Sequence, residues 1–254
     1  MTPAEAAKFI REQMPANGLF AGLNWRVSPE PFPLGENLAK EIESLGRVLL
    51  QFYRAVNLLY RKSVEGKQPE WVARWLDLGK PRELIELQRS IAFKNDFPRV
   101  IRPDILLTEN GFSITELDSV PGGIGLTAWL NQTYSAVGQA SRLSQTSKME
   151  NGDRRDACPT LIGGADGMLR GFESIFGDTK QVHIVISEEA KTYQPEMEWL
   201  ATQLNGQKHR TFNIQHSTFN GFADGDAVYR FFELFDLPNV PNAKRIFELA
   251  AEKK

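Results

Sequence analysis

Arg102-Pro-Asp-Ile-Leu-Leu-Thr-Glu-Asn-Gly-Phe-Ser-Ile-Thr-Glu-Leu-Asp-Ser-Val-Pro-Gly-Gly-Ile-Gly125 reads as a β-hairpin that runs into a glycine-rich turn. Side chains at i and i+2 of a strand share a face, so Arg102 points with Asp104 and Glu116 with Asp118. Two carboxylates held on one face repel each other unless a cation lies between them. An all-oxygen ligand set suits Mg²⁺ better than zinc.

Whether the two strands aim these groups at one place depends on the turn. A two-residue loop at Asn110-Gly111 would pair Ile105 with Glu116 and leave Asp104 on the opposite face. A three-residue loop, Glu109-Asn110-Gly111, pairs Asp104 with Glu116 and Arg102 with Asp118. It also gives Gly111 the left-handed position that a Cβ would make costly. The three-residue loop is the expected one. It sets one cation and three carboxylates at the open end of a sheet, with Leu106 and Ile114 behind them.

The first hundred residues read as mainly helical. Thr2 caps a short helix over 1–14 with Pro3 at its first position. Residues 15–34 are rich in Pro, Gly and aromatics, and form either an ordered loop or a lid. Apolar residues from Leu38 to Tyr60 keep helical spacing and predict a long helix ending near Gly66. Helices at 69–77 and 81–93 follow, with Trp71 and Trp75 as core. Beyond the hairpin come a helix at 125–139, an exposed polar loop at 141–160 and a short helix at 165–176. Val182–Ser187 is a β-branched run of the kind that fills buried parallel strands. A helix near 195–204 and strands near 210–214 and 227–232 complete a βαβ pattern, whose ligands bind at the carboxyl ends of strands. Ser187-Glu188-Glu189 sits at that end. A last helix begins near Pro241.

The expected class is therefore α/β (α+β). Its expected parts are a helical region at 1–98, a hairpin and metal-site region at 99–177, and an open parallel segment at 178–254. The 254 residues are 41% hydrophobic and 24% charged with a net charge of −2, ordinary for a globular chain. The net charge gives no case for nucleic acid. No apolar run reaches the roughly 20 residues that span a bilayer. The N-terminus lacks a signal-peptide core, and the cytoplasm is the default. A lone cysteine, Cys158, excludes an internal disulfide framework. His183, His209 and His216 have no metal-ligand spacing, and His183 reads as a core histidine.

Three blocks carry a resemblance: the hairpin with Pro121-Gly122-Gly123, the segment Ser187 to Met197, and Tyr229 to Asp236. Together they resemble the circularly permuted ATP-grasp family, in its glutathionylspermidine synthetase-like branch. The resemblance implies an ATP-dependent ligase that joins a small-molecule carboxylate to an amine through an acyl-phosphate, with Mg²⁺ and ATP as cofactors. By position in the family pattern, Asp104, Glu116 and Asp118 would be metal ligands. Arg102 would stabilise the transferring phosphoryl group or the acceptor carboxylate. Gly122 and Gly123 would let backbone amides approach a substrate or phosphate, and Glu188, Glu189 and Arg230 would reach the substrate cleft. Asp118 departs from the family, where Asn is common.

A working site of that family also needs strand lysines and a flexible glycine loop over the phosphates. Gly163-Gly164-Ala165-Asp166-Gly167 is the nearest glycine loop, and it has no neighbouring lysine. The expectation is a chain lacking the main nucleotide-binding half, inactive alone, with apolar surface left for that half or for self-association. Competing readings are a non-catalytic binding protein for a small acidic ligand or partner, and a Mg²⁺-dependent hydrolase built on the same carboxylates.

Overall fold

The computed structural model describes residues 1–15, 26–146, 161–205 and 210–253. The expectations for Cys158, His209, most of the 141–160 loop and part of the 15–34 loop fall outside these. The architecture is mixed α/β, with an antiparallel hairpin and a parallel three-stranded sheet. No described helix is long and apolar enough to cross a membrane. The chain forms two compact units, each assembled from separated stretches of sequence.

The first unit takes residues 1–39, 122–180 and 192–212. Helix α1 (Pro3–Glu12) begins with a reciprocal cap: Thr2 Oγ1 accepts the Glu5 amide and the Glu5 carboxylate accepts the Thr2 amide. Its Ala6 and Ile10 pack with Trp129 and Val137 of α5 (Ile124–Thr146), and Phe9, Leu126, Tyr134 and Trp199 close around them. The helix α5 runs past 139, so the first six residues of the expected polar loop are helical. In α6 (Gly167–Ser174), Phe172 meets Phe176 edge-on, and both rings contact Phe212. Helix α7 (Gln194–Asn205) buries Met197, Leu200, Ala201 and Leu204 on one face.

The second unit takes residues 40–121, 181–191 and 213–254. Its sheet has the order β4-β3-β5, formed by β3 (Gln181–Ile186), β4 (Thr211–His216) and β5 (Ala227–Phe231). Strand β3 lies in the middle. Its run of Val182, His183, Ile184, Val185 and Ile186 is buried throughout, as expected for a strand covered on both faces. Val185, Phe232, Leu237, Val240 and Leu249 form the core beneath α8 (Ala243–Glu252).

Helices α2 (Glu36–Val64), α3 (Glu70–Asp77) and α4 (Arg82–Arg89) are joined by a polar network. Tyr60 Oη donates to Asp77 (2.7 Å), Gln88 Nε2 donates to both, and Arg89 pairs with Asp77. Ser63 Oγ donates to the Pro69 carbonyl and accepts the Ala73 amide, which ties the end of α2 to the start of α3. This close approach through Val72 and Ala73 turns the other face of α3 outward. Trp71 and Trp75 are 58% and 63% exposed, against the expectation that they are core.

Candidate functional site

The hairpin pairs β1 (Arg102–Thr108) with β2 (Gly111–Asp118). Asp104 lies opposite Glu116 and Arg102 opposite Asp118, the register expected from the sequence. The route to that register differs. The turn holds two residues, Glu109-Asn110, with Thr108 opposite Gly111, rather than three. A bulge then shifts the register: Ile105 pairs with Ile114, Asp104 pairs with Glu116, and Thr115 is the extra residue. Gly111 does adopt a positive φ of 133°. A bulge adds one residue to one strand, so it restores the offset that the shorter turn removes. The hairpin is also a sheet of its own, not the end of a larger one, and Leu106 and Ile114 are exposed rather than packed behind the charges.

Arg102 is the cation between the carboxylates. Its Nε lies 3.1 Å from Asp104 Oδ1 and its terminal nitrogen 3.4 Å from Asp118 Oδ2. Asp118 Oδ1 accepts the Val120 amide at 2.7 Å, which fixes the exit of the strand. Glu116 is exposed. Among the described residues no group of three His, Cys, Asp or Glu side chains gathers closely enough to hold a metal ion. The directly opposed Asp104 and Glu116 remain as an oxygen pair. Mg²⁺ commonly binds through one or two carboxylates plus substrate phosphates. Two carboxylates are fewer than a metal ion held by protein alone requires.

The carboxyl end of the parallel sheet supplies a second charged group. Arg230, on β5, donates to the Phe232 carbonyl at 2.6 Å and lies over the Phe232 ring. Burial lowers its pKa. Glu233 follows at once. Burial first, and then the negative charge of Asp118, push its carboxyl above the usual range, while Arg230 pulls it back. Glu233 at the strand end thus lies within the field of the Asp118 carboxylate. Buried Asp236 accepts from Ser187 Oγ (3.3 Å) and from the Glu233 amide (2.9 Å), locking the two strand ends together. Glu188 pairs with Lys191, and Glu189 accepts from Asn239, so both are engaged locally at the strand end.

In the other unit, the glycine turn is filled from within. The carboxylate of Glu196 on α7 is buried and accepts the Gly125 amide at 3.1 Å. Its pKa is raised by burial, against the backbone amides of Gly125, Gly123 and Ile124, which favour the ionised form. This is a helix N-terminus satisfied by a carboxylate borrowed from a different helix. A Cβ at Gly125 would lie 2.8 Å from the Glu196 carbonyl oxygen, and one at Gly122 would run into the Tyr193 ring. Of the two amides that the resemblance offers to a substrate or phosphate, that of Gly123 is turned toward Glu196, and Gly122 lies against the Tyr193 ring.

Glu196 and Tyr193 are the residues that sequence reasoning missed. Glu196 sits in the first turn of its own helix, where an acidic residue is ordinary. Its role shows only when α5 and α7 are placed together. No protein-family model and no curated protein matches the chain.

Proposed function

We propose that this chain is the metal- and substrate-holding part of an ATP-grasp-type, Mg-ATP-dependent ligase that joins a carboxylate to an amine. The observation that carries this reading is the opposed pairing of Asp104 with Glu116 and Arg102 with Asp118 on one hairpin face. Asp104 and Glu116 would hold a magnesium ion delivered on the nucleotide, whose chemistry is to draw charge from the phosphates. Arg102, a planar fork already oriented by two carboxylates, suits a phosphoryl or carboxylate oxyanion. Glu233 and Asp118 together make a negative edge suited to an ammonium substrate. Among the described residues none of the five strands carries a lysine. The chain on this reading supplies the metal and substrate side, not the adenine cradle.

Calorimetry with Mg-ATP tests the proposal. The wild-type chain should bind, and Glu116→Gln and Asp104→Asn should each weaken binding about tenfold or more with the fold intact. Equal affinity in all three proteins would refute it.

One observation favours a second reading, a non-catalytic protein that binds a small acidic ligand. Arg102 already pairs with Asp104 and Asp118, and Glu196 already accepts the Gly125 amide, so these groups have partners without a metal. Binding of a small dicarboxylate that is indifferent to Mg²⁺ and to nucleotide would favour it.

A further inference from the structure

The helix α2 carries a seam that its own unit does not use. Glu41, Leu45, Val48, Phe52, Ala55, Leu59 and Lys62 recur at alternating steps of four and three, the spacing of a coiled-coil seam. Leu45 of this row is buried with the neighbouring Leu49 and Tyr60, so the part of the seam left outward is Glu41 and the run from Val48 to Lys62. The centre of the seam faces out, with Val48, Phe52 and Leu59 at 51%, 52% and 41% exposure and Leu58 beside them at 55%. Over residues 48–62 the helix is about 21 Å long at 1.5 Å per residue, enough for two heptads. Charge is unequal along it. On the seam itself Glu41 stands at the start and Lys62 at the end; off it lie Lys40, Glu43, Arg47 and Arg54, and Arg61, which donates to the carbonyls of residues 88–90.

We propose that α2 is an interface between two copies of this chain, paired antiparallel and seam to seam. The charge gradient selects the direction. Parallel pairing would set Glu41 on Glu41 and Lys62 on Lys62, whereas antiparallel pairing brings Glu41 of each helix near Lys62 of the other. Size selects the register. A two-fold axis between Tyr53 and Arg54 sets Phe52 against the small Ala55 of the second copy and Val48 against its Leu59. Lys62 then lies level with Leu45 of the second copy, one helical turn from its Glu41. Such an interface is isologous and closes on itself, so it gives a dimer and no larger array. The pairing is independent of the reading of the hairpin as a nucleotide site.

Sedimentation equilibrium of the 254-residue chain tests the pairing, with circular dichroism to confirm that each variant keeps its helix content. The wild type should dimerise, and Phe52→Ser and Leu59→Ser should each raise the dimer Kd at least about tenfold, as expected for a central aromatic or aliphatic anchor. Glu41→Lys should weaken the dimer, and the Glu41→Lys/Lys62→Glu double variant should restore it, because reversing both charges rebuilds the antiparallel pair. A chain that stays monomeric at about 100 μM overturns the proposal, since mass action would populate any dimer of useful strength there. So does a dimer indifferent to Phe52→Ser and Leu59→Ser, which would use another surface. Failure of the double swap to recover the wild-type Kd overturns the antiparallel direction and with it the proposed register.

Discussion

Glu196→Ala removes the carboxylate that holds the head of α5. The Gly125 amide is buried and bonded to Glu196 Oε1, so leaving it without a partner costs about 1–3 kcal/mol. Loss of an acceptor at a helix start adds about 1 kcal/mol. Release of a buried charge offsets part of this, so the expected loss is about 2–3 kcal/mol. Glu196→Gln keeps an acceptor and drops the charge, and should stay within about 1 kcal/mol of wild type near neutral pH. The pH dependence has a defined sign. Burial raises the folded-state pKa of Glu196, so its stabilisation is fully present below the unfolded value of about 4.3 and fades as pH rises through the higher folded value. The advantage of wild type over Glu196→Gln should therefore shrink from about pH 4 toward neutrality. Urea denaturation followed by the emission of buried Trp129, on α5, measures the stabilities. Hydrogen exchange at Gly123, Ile124 and Gly125 reads the local effect. Unchanged stability and unchanged exchange in Glu196→Ala would refute the reasoning.

Gly125→Ala should cost more than about 2 kcal/mol, because its Cβ would meet the Glu196 backbone, which cannot rotate away. Gly122→Ala should be milder, since the half-exposed Tyr193 ring can swing aside, and Tyr193→Ala should relieve it; thermal melts of the three variants decide this. His183 Nε2 lies 2.9 Å from Asp226 Oδ2, which also accepts the Ala223 amide. Asp226→Ala should therefore cost about 2–3 kcal/mol by urea titration, and Asp226→Asn less than about 1 kcal/mol, because the amide oxygen can replace the acceptor. Ser63→Ala removes both the donor to Pro69 and the acceptor for Ala73, and should cost about 1–2 kcal/mol with faster exchange at the start of α3, which has no side-chain cap of its own.

Period alone exposed most elements: the long amphipathic α2, the buried run of β3 and the alternation along the hairpin are all local signals. The hairpin shows where locality stops. Asn110-Gly111 read as the hinge of a three-residue loop, yet the offset comes from Thr115, whose bulge no turn residue announces. Trp71 and Trp75 read as core because they are large and apolar, but α3 packs through its small residues, and that choice depends on Ser63 ten residues upstream of Ala73. The charged face of the hairpin was legible because i and i+2 share a face in any strand. The glycine turn was legible as glycine, but not as a turn filled by Glu196 and Tyr193, since these approach it from α7 and the segment before it, about seventy residues away.

On the proposed function, the hairpin face receives a metal-bound nucleotide. Amide NMR of the chain with ATP and substoichiometric Mn²⁺, a paramagnetic stand-in for Mg²⁺, tests it directly. Selective broadening of the amides at 103–105 and 115–118, abolished by Glu116→Gln, is the predicted result. Broadening that spares the hairpin, or that survives Glu116→Gln unchanged, would contradict it.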